Sequence, residues 1–133
     1  MNAQQWLDTY LEGWRTGDAE KSLSATVPDF FYDDPATGRI CRDKFVQFVE
    51  DFKAAGAELA GGQVPSPFLQ YSDITVSAAN PATAWCWWRV TGTNFQGAAI
   101  IRFGDAGVIS ERIAYFTTDP VATPIPDQVK KEG

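Results

Sequence analysis

The hydrophobic period of this chain changes once, near residue 68, and that change restricts the fold more than any single motif does. Before it, apolar residues recur at helical spacing. Trp6, Tyr10, Leu11 and Trp14 share one face of a helix expected over residues 3–16, with Asp8, Glu12 and Arg15 on the other. Gly17 suits the position just past that helix, and Asp18 can N-cap a second short one running from Ala19 to Ala25. A short strand is expected over 30–34, a turn from Pro35 to Gly38, and a third helix over 43–55 with Phe45, Val46, Phe48, Val49 and Phe52 as its stripe. Residues 56–67 read as a flexible, turn-rich loop. After it the period is two. Strands are expected over 68–78, 83–91, 95–103 and 108–117, with turns at Asn80-Pro81, around Gly92 to Asn94, and at Gly104 to Gly107. Helices followed by a meander predict an α+β cone: three N-terminal helices packed on a strongly curved antiparallel sheet.

At 133 residues the chain supports one domain, expected over 1–118, with 119–133 as a C-terminal extension. The net charge is −6 and no Lys/Arg cluster occurs, so a nucleic-acid partner is not expected. No apolar run approaches 18 residues, and Met1 to Gln5 lacks the pattern of a signal peptide. These features predict a cytoplasmic protein without a membrane partner, in which Cys41 and Cys86 remain thiols. There is no His, which excludes a Ser-His-Asp triad, a Cys-His dyad and most zinc sites. No phosphate- or dinucleotide-binding glycine motif occurs, and Asp33, Asp34 and Asp43 have no recognisable ligand spacing, so neither cofactor nor metal is expected.

Three residues carry candidate chemistry. Asp34 follows Phe30, Phe31 and Tyr32 and precedes Pro35; a carboxylate among aromatics is partly desolvated and suits a general base. The competing role is a turn cap before Thr37-Gly38. Tyr10 is either a donor to a developing oxyanion or a core tyrosine with a backbone partner. Glu111 is the carboxylate within the last strand and alternates in phase with Ile113 and Tyr115. It is either a pocket acid or a strand residue paired with Arg89 or Arg102. Trp14, Phe31, Phe48, Phe52, Trp88, Ala99, Ile101 and Ile113 are the expected lining of an apolar cavity suited to a small hydrophobic or cyclic ligand. Trp85 and Trp87 share the opposite sheet face, which predicts a homodimer there; coverage by the C-terminal tail is the alternative.

The order helix, Gly17-Asp18, helix, Asp34-Pro35, helix, long hairpins resembles the nuclear transport factor two-like superfamily, which includes ketosteroid isomerases and polyketide cyclases of the SnoaL type. The pieces that carry the resemblance are Tyr10 to Asp18, Phe31 to Pro35, and Ile101 to Arg112. It implies a cystatin-like α+β cone over roughly residues 3–118. In ketosteroid isomerases the general base is an Asp directly before a Pro, where Asp34 falls. The main oxyanion donor is a Tyr seven residues before the Gly of Gly-Asp, where Tyr10 falls. The second donor is a protonated Asp on the third long strand, a position held here by Ala99. Losing one such donor typically lowers a rate by about 10²–10³, so weaker or different enolisation chemistry is implied. Glu111 could replace the missing acid, whereas Asp119 sits too near the strand end to place. The resemblance therefore implies a small-molecule-binding domain with cofactor-independent isomerase- or cyclase-like activity, or the same fold serving as a ligand-binding or dimeric assembly module.

Overall fold

A computed structural model describes residues 1–116. Helix α1 (Ala3–Thr16) begins at a capping box. Asn2 accepts from the Gln5 N–H at 2.9 Å, and the Gln5 side chain accepts from the Asn2 N–H at 2.8 Å. It ends at Gly17, whose φ of 76° is left-handed. Asp18 then caps α2 (Ala19–Ser24) by accepting from the Lys21 N–H.

Strand β1 (Thr26–Asp34) starts earlier than the periodicity suggests, because Pro28 lies within it. Proline donates no ladder bond, and the pairing register shifts between Thr26 and Phe31. The turn after Asp34 leads into β2 (Gly38–Cys41), a four-residue edge strand of which only Gly38 was expected, as the end of the turn. A short 3₁₀ turn, Arg42–Lys44, precedes α3 (Phe45–Leu59). This helix runs on through Gly56, expected to open the loop. A Cβ at Gly56 would lie 2.8 Å from the Phe68 ring, so this glycine permits close packing instead of breaking the helix.

Four long strands follow: β3 (Leu69–Val76), β4 (Ala82–Val90), β5 (Gln96–Gly104) and β6 (Gly107–Tyr115). The six strands form one sheet in the order β2-β1-β6-β5-β4-β3. All neighbours are antiparallel except β1 and β6, which run parallel. The expected α+β cone is therefore correct, with one parallel joint in its otherwise antiparallel sheet.

The helices cover one sheet face, and the core between them is mostly aromatic. Tyr10, Trp14, Phe30, Tyr32, Phe45, Phe68 and Trp88 are all buried there. Trp14 packs on Tyr32 at 5.7 Å, on Phe45 at 5.8 Å and on Phe52 at 5.5 Å, and Phe52 stacks on Phe95 at 5.3 Å. On the opposite face Trp85 is 53% exposed. Among the described residues no helix is long and apolar enough to cross a membrane. Thr117 and Thr118, the extension 119–133 and Asp119 lie outside the described residues.

Candidate active site

Alternation along β6 decides which groups enter the cone. Glu111, Ile113 and Tyr115 point inward, while Arg112 and Ala114 point out. Glu111 is 3% exposed, so it is neither a surface residue nor a partner of Arg89 or Arg102. Its Oε1 accepts from the Tyr10 hydroxyl at 2.5 Å. Helix α1 delivers Tyr10 to that point. Its side chain lies on the buried stripe with Leu7 and Trp14, and the Ser22 hydroxyl anchors the turn by donating to the Tyr10 carbonyl at 2.8 Å.

The electrostatics follow from burial. Loss of water pushes the Glu111 carboxyl up to about 8, and the hydrogen bond from Tyr10 offsets only part of that rise. Burial, and then the neighbouring Glu111 charge, push Tyr10, Tyr32 and Tyr71 well above the ordinary tyrosine value. The same causes push the Cys86 thiol up to about 12. One potential charge thus sits among groups that resist ionising beside it. The Trp14 indole counters a little of the rise at Tyr10. Even so, its N–H meets no acceptor in hydrogen-bonding geometry.

Asp34 is 4% exposed and belongs to a second arrangement. Its Oδ1 accepts from the Ala36 and Thr37 N–H groups at 2.8 and 3.0 Å, closing the turn into β2. Its Oδ2 accepts a short hydrogen bond from the Tyr115 hydroxyl. Burial, then that bond and the Asp34 charge, push Tyr115 well above its usual range. Asp33 points the other way, to Arg39 at 2.9 Å and Arg112 at 3.2 Å, and the Arg39 bond holds its carboxyl below the usual range.

The structure does not bring Tyr10 and Asp34 together. The Tyr10 hydroxyl meets Glu111, whose register partner on β1 is Tyr32, and Asp34 lies two residues farther along that strand with Tyr115 as its own partner. Two extended residues span roughly 7 Å. Two separate carboxyl–phenol pairs replace the single pair expected from the sequence.

Most of the expected lining lies inside. Trp14, Phe52, Trp88 and Ile113 border a chamber beside Glu111, together with Tyr32, Leu69 and Tyr71. Ala99 and Ile101 are buried on the same face, and half-buried Phe48 packs on Tyr32 at 4.8 Å. Phe31 is a correction. Strand alternation that turns Asp34 inward also turns Tyr32 and Phe30 inward, and sends Phe31 to the outer side under the Arg39 guanidinium. The same alternation was the available signal for Tyr32, which the sequence reading missed. The chamber measures about 10 Å³, close to the space of a single water. Aromatic side chains fill the rest of the cone. Among the described residues no three Cys, Asp or Glu side chains gather as a metal site.

No protein-family model matches the chain, and no curated protein matches it by sequence. Solved structures match it throughout. One from Kribbella flavida superposes with a TM-score of 0.64 at 19% identity, covering 98% of each chain. A candidate polyketide cyclase from Xanthomonas campestris gives a TM-score of 0.55 at 16% identity, over 85% of this chain and 89% of its own. A protein from Anabaena variabilis described as NTF2-like gives 0.58 at 17% identity, covering 86% of each chain. At these identities the likeness is one of fold.

Proposed function

For a chain with the fold of the nuclear transport factor two-like superfamily, we propose a domain that binds a small hydrophobic or cyclic compound inside its cone, once aromatic side chains move aside to widen the chamber of about 10 Å³, and performs cofactor-independent acid–base chemistry on it, of isomerase or cyclase type. One observation carries this reading: Glu111 is buried among aromatics with a phenol as its hydrogen-bond partner. A buried carboxyl without a cation is costly, and an apolar residue would serve packing better, so such groups concentrate where chemistry is done.

With its pKa near 8, Glu111 is mostly protonated at neutral pH. In that form it donates to the carbonyl oxygen of the ligand while Tyr10 holds its other oxygen. Glu111 thereby supplies the acid that Ala99 cannot. The proton α to the carbonyl passes to the Asp34 carboxylate for a ligand extending along β1, and the oxygen takes the Glu111 proton to give the enol. Return of the carbon proton at another position completes an isomerisation. A panel of cyclic enones and polyketide-like ketones tests this with wild type, Glu111→Gln and Asp34→Asn. Turnover should fall about 10²-fold or more in Glu111→Gln, and should decline as pH rises through 8. Identical background rates for all three proteins on every compound would refute the enzyme reading.

A second reading, assembly, has its own support. Exposed Trp85 borders an apolar groove of about 200 Å³ with Ala98, Ile100 and Ala114 on the outer sheet face, and Phe116 packs on Trp87 at 5.6 Å. We infer a cytoplasmic homodimer through this face. Trp85→Glu should elute as a monomer on size exclusion, and an unchanged elution volume would count against the interface.

A further inference from the structure

Strand pairing sets Tyr32 of β1 level with Glu111 of β6, and across this parallel joint both side chains enter the cone. Tyr71 reaches them from β3 at the far edge of the sheet, and all three line the chamber of about 10 Å³. Glu111 Oε1 is taken by the Tyr10 hydroxyl. Its Oε2 and the hydroxyls of Tyr32 and Tyr71 have no protein partner among the described residues. Among those residues, the unpartnered side-chain atoms that are also sealed from water are Trp14 Nε1 and Thr91 Oγ1. The other three therefore each keep a face open to water-sized space. For Glu111 and Tyr32, 3% and 2% exposed, that space is the chamber. Tyr71 is half-buried as a whole, yet burial is the main cause that pushes its phenol up, followed by the Glu111 charge. Its hydroxyl end is thus the inner one. Its ring flank borders a groove of about 340 Å³ between α1 and β3, beside Leu11 and Ile74.

We propose that the chamber is a binding site for one water molecule, held by Glu111 Oε2 and the Tyr32 and Tyr71 hydroxyls, and that this water enters past Tyr71 and supplies Glu111 with its proton. Size and chemistry agree. A buried water needs a cavity of about 10–15 Å³ and roughly two to four polar partners. An apolar occupant would leave three polar atoms unmet. Because Oε1 accepts from Tyr10, the proton of the neutral Glu111 carboxyl resides on Oε2, facing the water. Exchange is a balanced transfer. The Oε2–H bond breaks, the water oxygen gains that proton to form hydronium, and one of the three protons of that ion returns to the carboxylate. Entry at Tyr71 follows from its place in the sheet. It stands on an edge strand whose ladder to β4 lapses between Ser72 and Thr75, where Asp73 adopts a φ of 56°. This part of the wall is held from one side only, so it opens at low cost. The inference concerns proton supply and stands apart from ligand turnover.

Infrared spectroscopy at pH 6 tests it through the carbonyl stretch of the protonated Glu111 carboxyl, which Glu111→Gln removes and so identifies. On transfer to heavy water, wild type should exchange this proton faster than the backbone amides of β6, since water arrives without unfolding. Tyr71→Ala should speed the carboxyl exchange about tenfold or more and leave the β6 amides unchanged. Tyr32→Phe removes one partner of the water and should move the stretch to higher frequency, the sign of a weakened hydrogen bond. A crystal structure of wild type should place one water within hydrogen-bond distance of Glu111 Oε2 and the Tyr32 hydroxyl. No water there, or an unmoved band in Tyr32→Phe, would overturn the site. Carboxyl exchange in step with the β6 amides would overturn the supply route, and an unchanged rate in Tyr71→Ala would overturn the entry. Each of these results leaves the acid–base reading standing. Absence of the protonated-carboxyl band at pH 6 would overturn this inference and the proposed acid together. Should Tyr71→Ala fail to fold, the wild-type comparison of carboxyl with amides decides.

Discussion

Replacing Glu111 by Gln should leave stability nearly unchanged at pH 5 and raise it by about 4 kcal/mol at pH 9. The substitution keeps the shape and an oxygen for the Tyr10 hydroxyl, and removes only the ability to ionise. In the unfolded chain the carboxyl titrates near 4.5; in the fold it titrates near 8. The folded state therefore holds a proton that the unfolded state has already lost. Stability from this group is fully present below 4.5 and is lost as pH rises through 8. At 1.36 kcal/mol for each tenfold step, the loss between pH 5 and pH 9 comes to about 4 kcal/mol. That is a large part of the 5–15 kcal/mol typical of a domain. Asp33 and Glu12, whose pKa values are lowered, titrate in the opposite sense and at lower pH, and they do so equally in both proteins. Urea denaturation of both proteins at pH 5, 7 and 9, followed by circular dichroism, gives the difference directly. A stability gap that does not widen with pH would mean that Glu111 is solvated or paired, and the acid proposed for the site would lose its basis.

Three further outcomes follow from the same geometry. Tyr10→Phe should destabilise by about 1–3 kcal/mol by leaving Glu111 Oε1 without its donor. It should also raise the Glu111 pKa further, which a carbon-detected carboxyl titration would register as a later transition. Asp34→Ala removes the acceptor for the Ala36 and Thr37 N–H groups and for Tyr115. Amide exchange at those two residues should accelerate, with a loss of about 2 kcal/mol on thermal or chemical unfolding. Gly97→Ala should be the most damaging small change. Its Cβ would fall 1.8 Å from the Ala114 carbonyl oxygen and 2.9 Å from the Trp88 ring. A loss of about 3 kcal/mol or more is expected, read as reduced urea midpoint or insoluble expression.

The architecture was legible because the long elements are strongly periodic. The α1 stripe, the Gly17 stop, the Asp18 cap and the alternation of β4 to β6 each dictate local structure through contacts within a few residues. The misreadings arise where distant packing decides. Gly56 looks like a breaker until Phe68 occupies the space beside it. The strand β2 has almost no signal of its own and exists because Asp34 closes a turn that lays it on β1. At the site, Tyr10 and Glu111 were both visible as candidates, and nothing local reveals that they meet, since 101 positions separate them. Asp34 was found for its position before a proline, yet its environment is set by Tyr115 on the last strand. Phe31 was assigned to the wrong face although the parity of the strand, counted from Asp34, already fixed it.

The parallel joint between β1 and β6 has a consequence for biosynthesis. Strand β1 leaves the ribosome early, but its inner neighbour is the last strand of the sheet to be translated. Until β6 emerges, β1 and β2 form only an orphan ribbon, and isolated two-stranded ribbons are marginal in water. The sheet cannot close progressively from the N-terminus; it waits for nearly the whole domain and then joins its first strand to its final one. A stop codon placed just before Gly107 would consequently yield no smaller cone, but a nascent chain with the middle of its sheet missing.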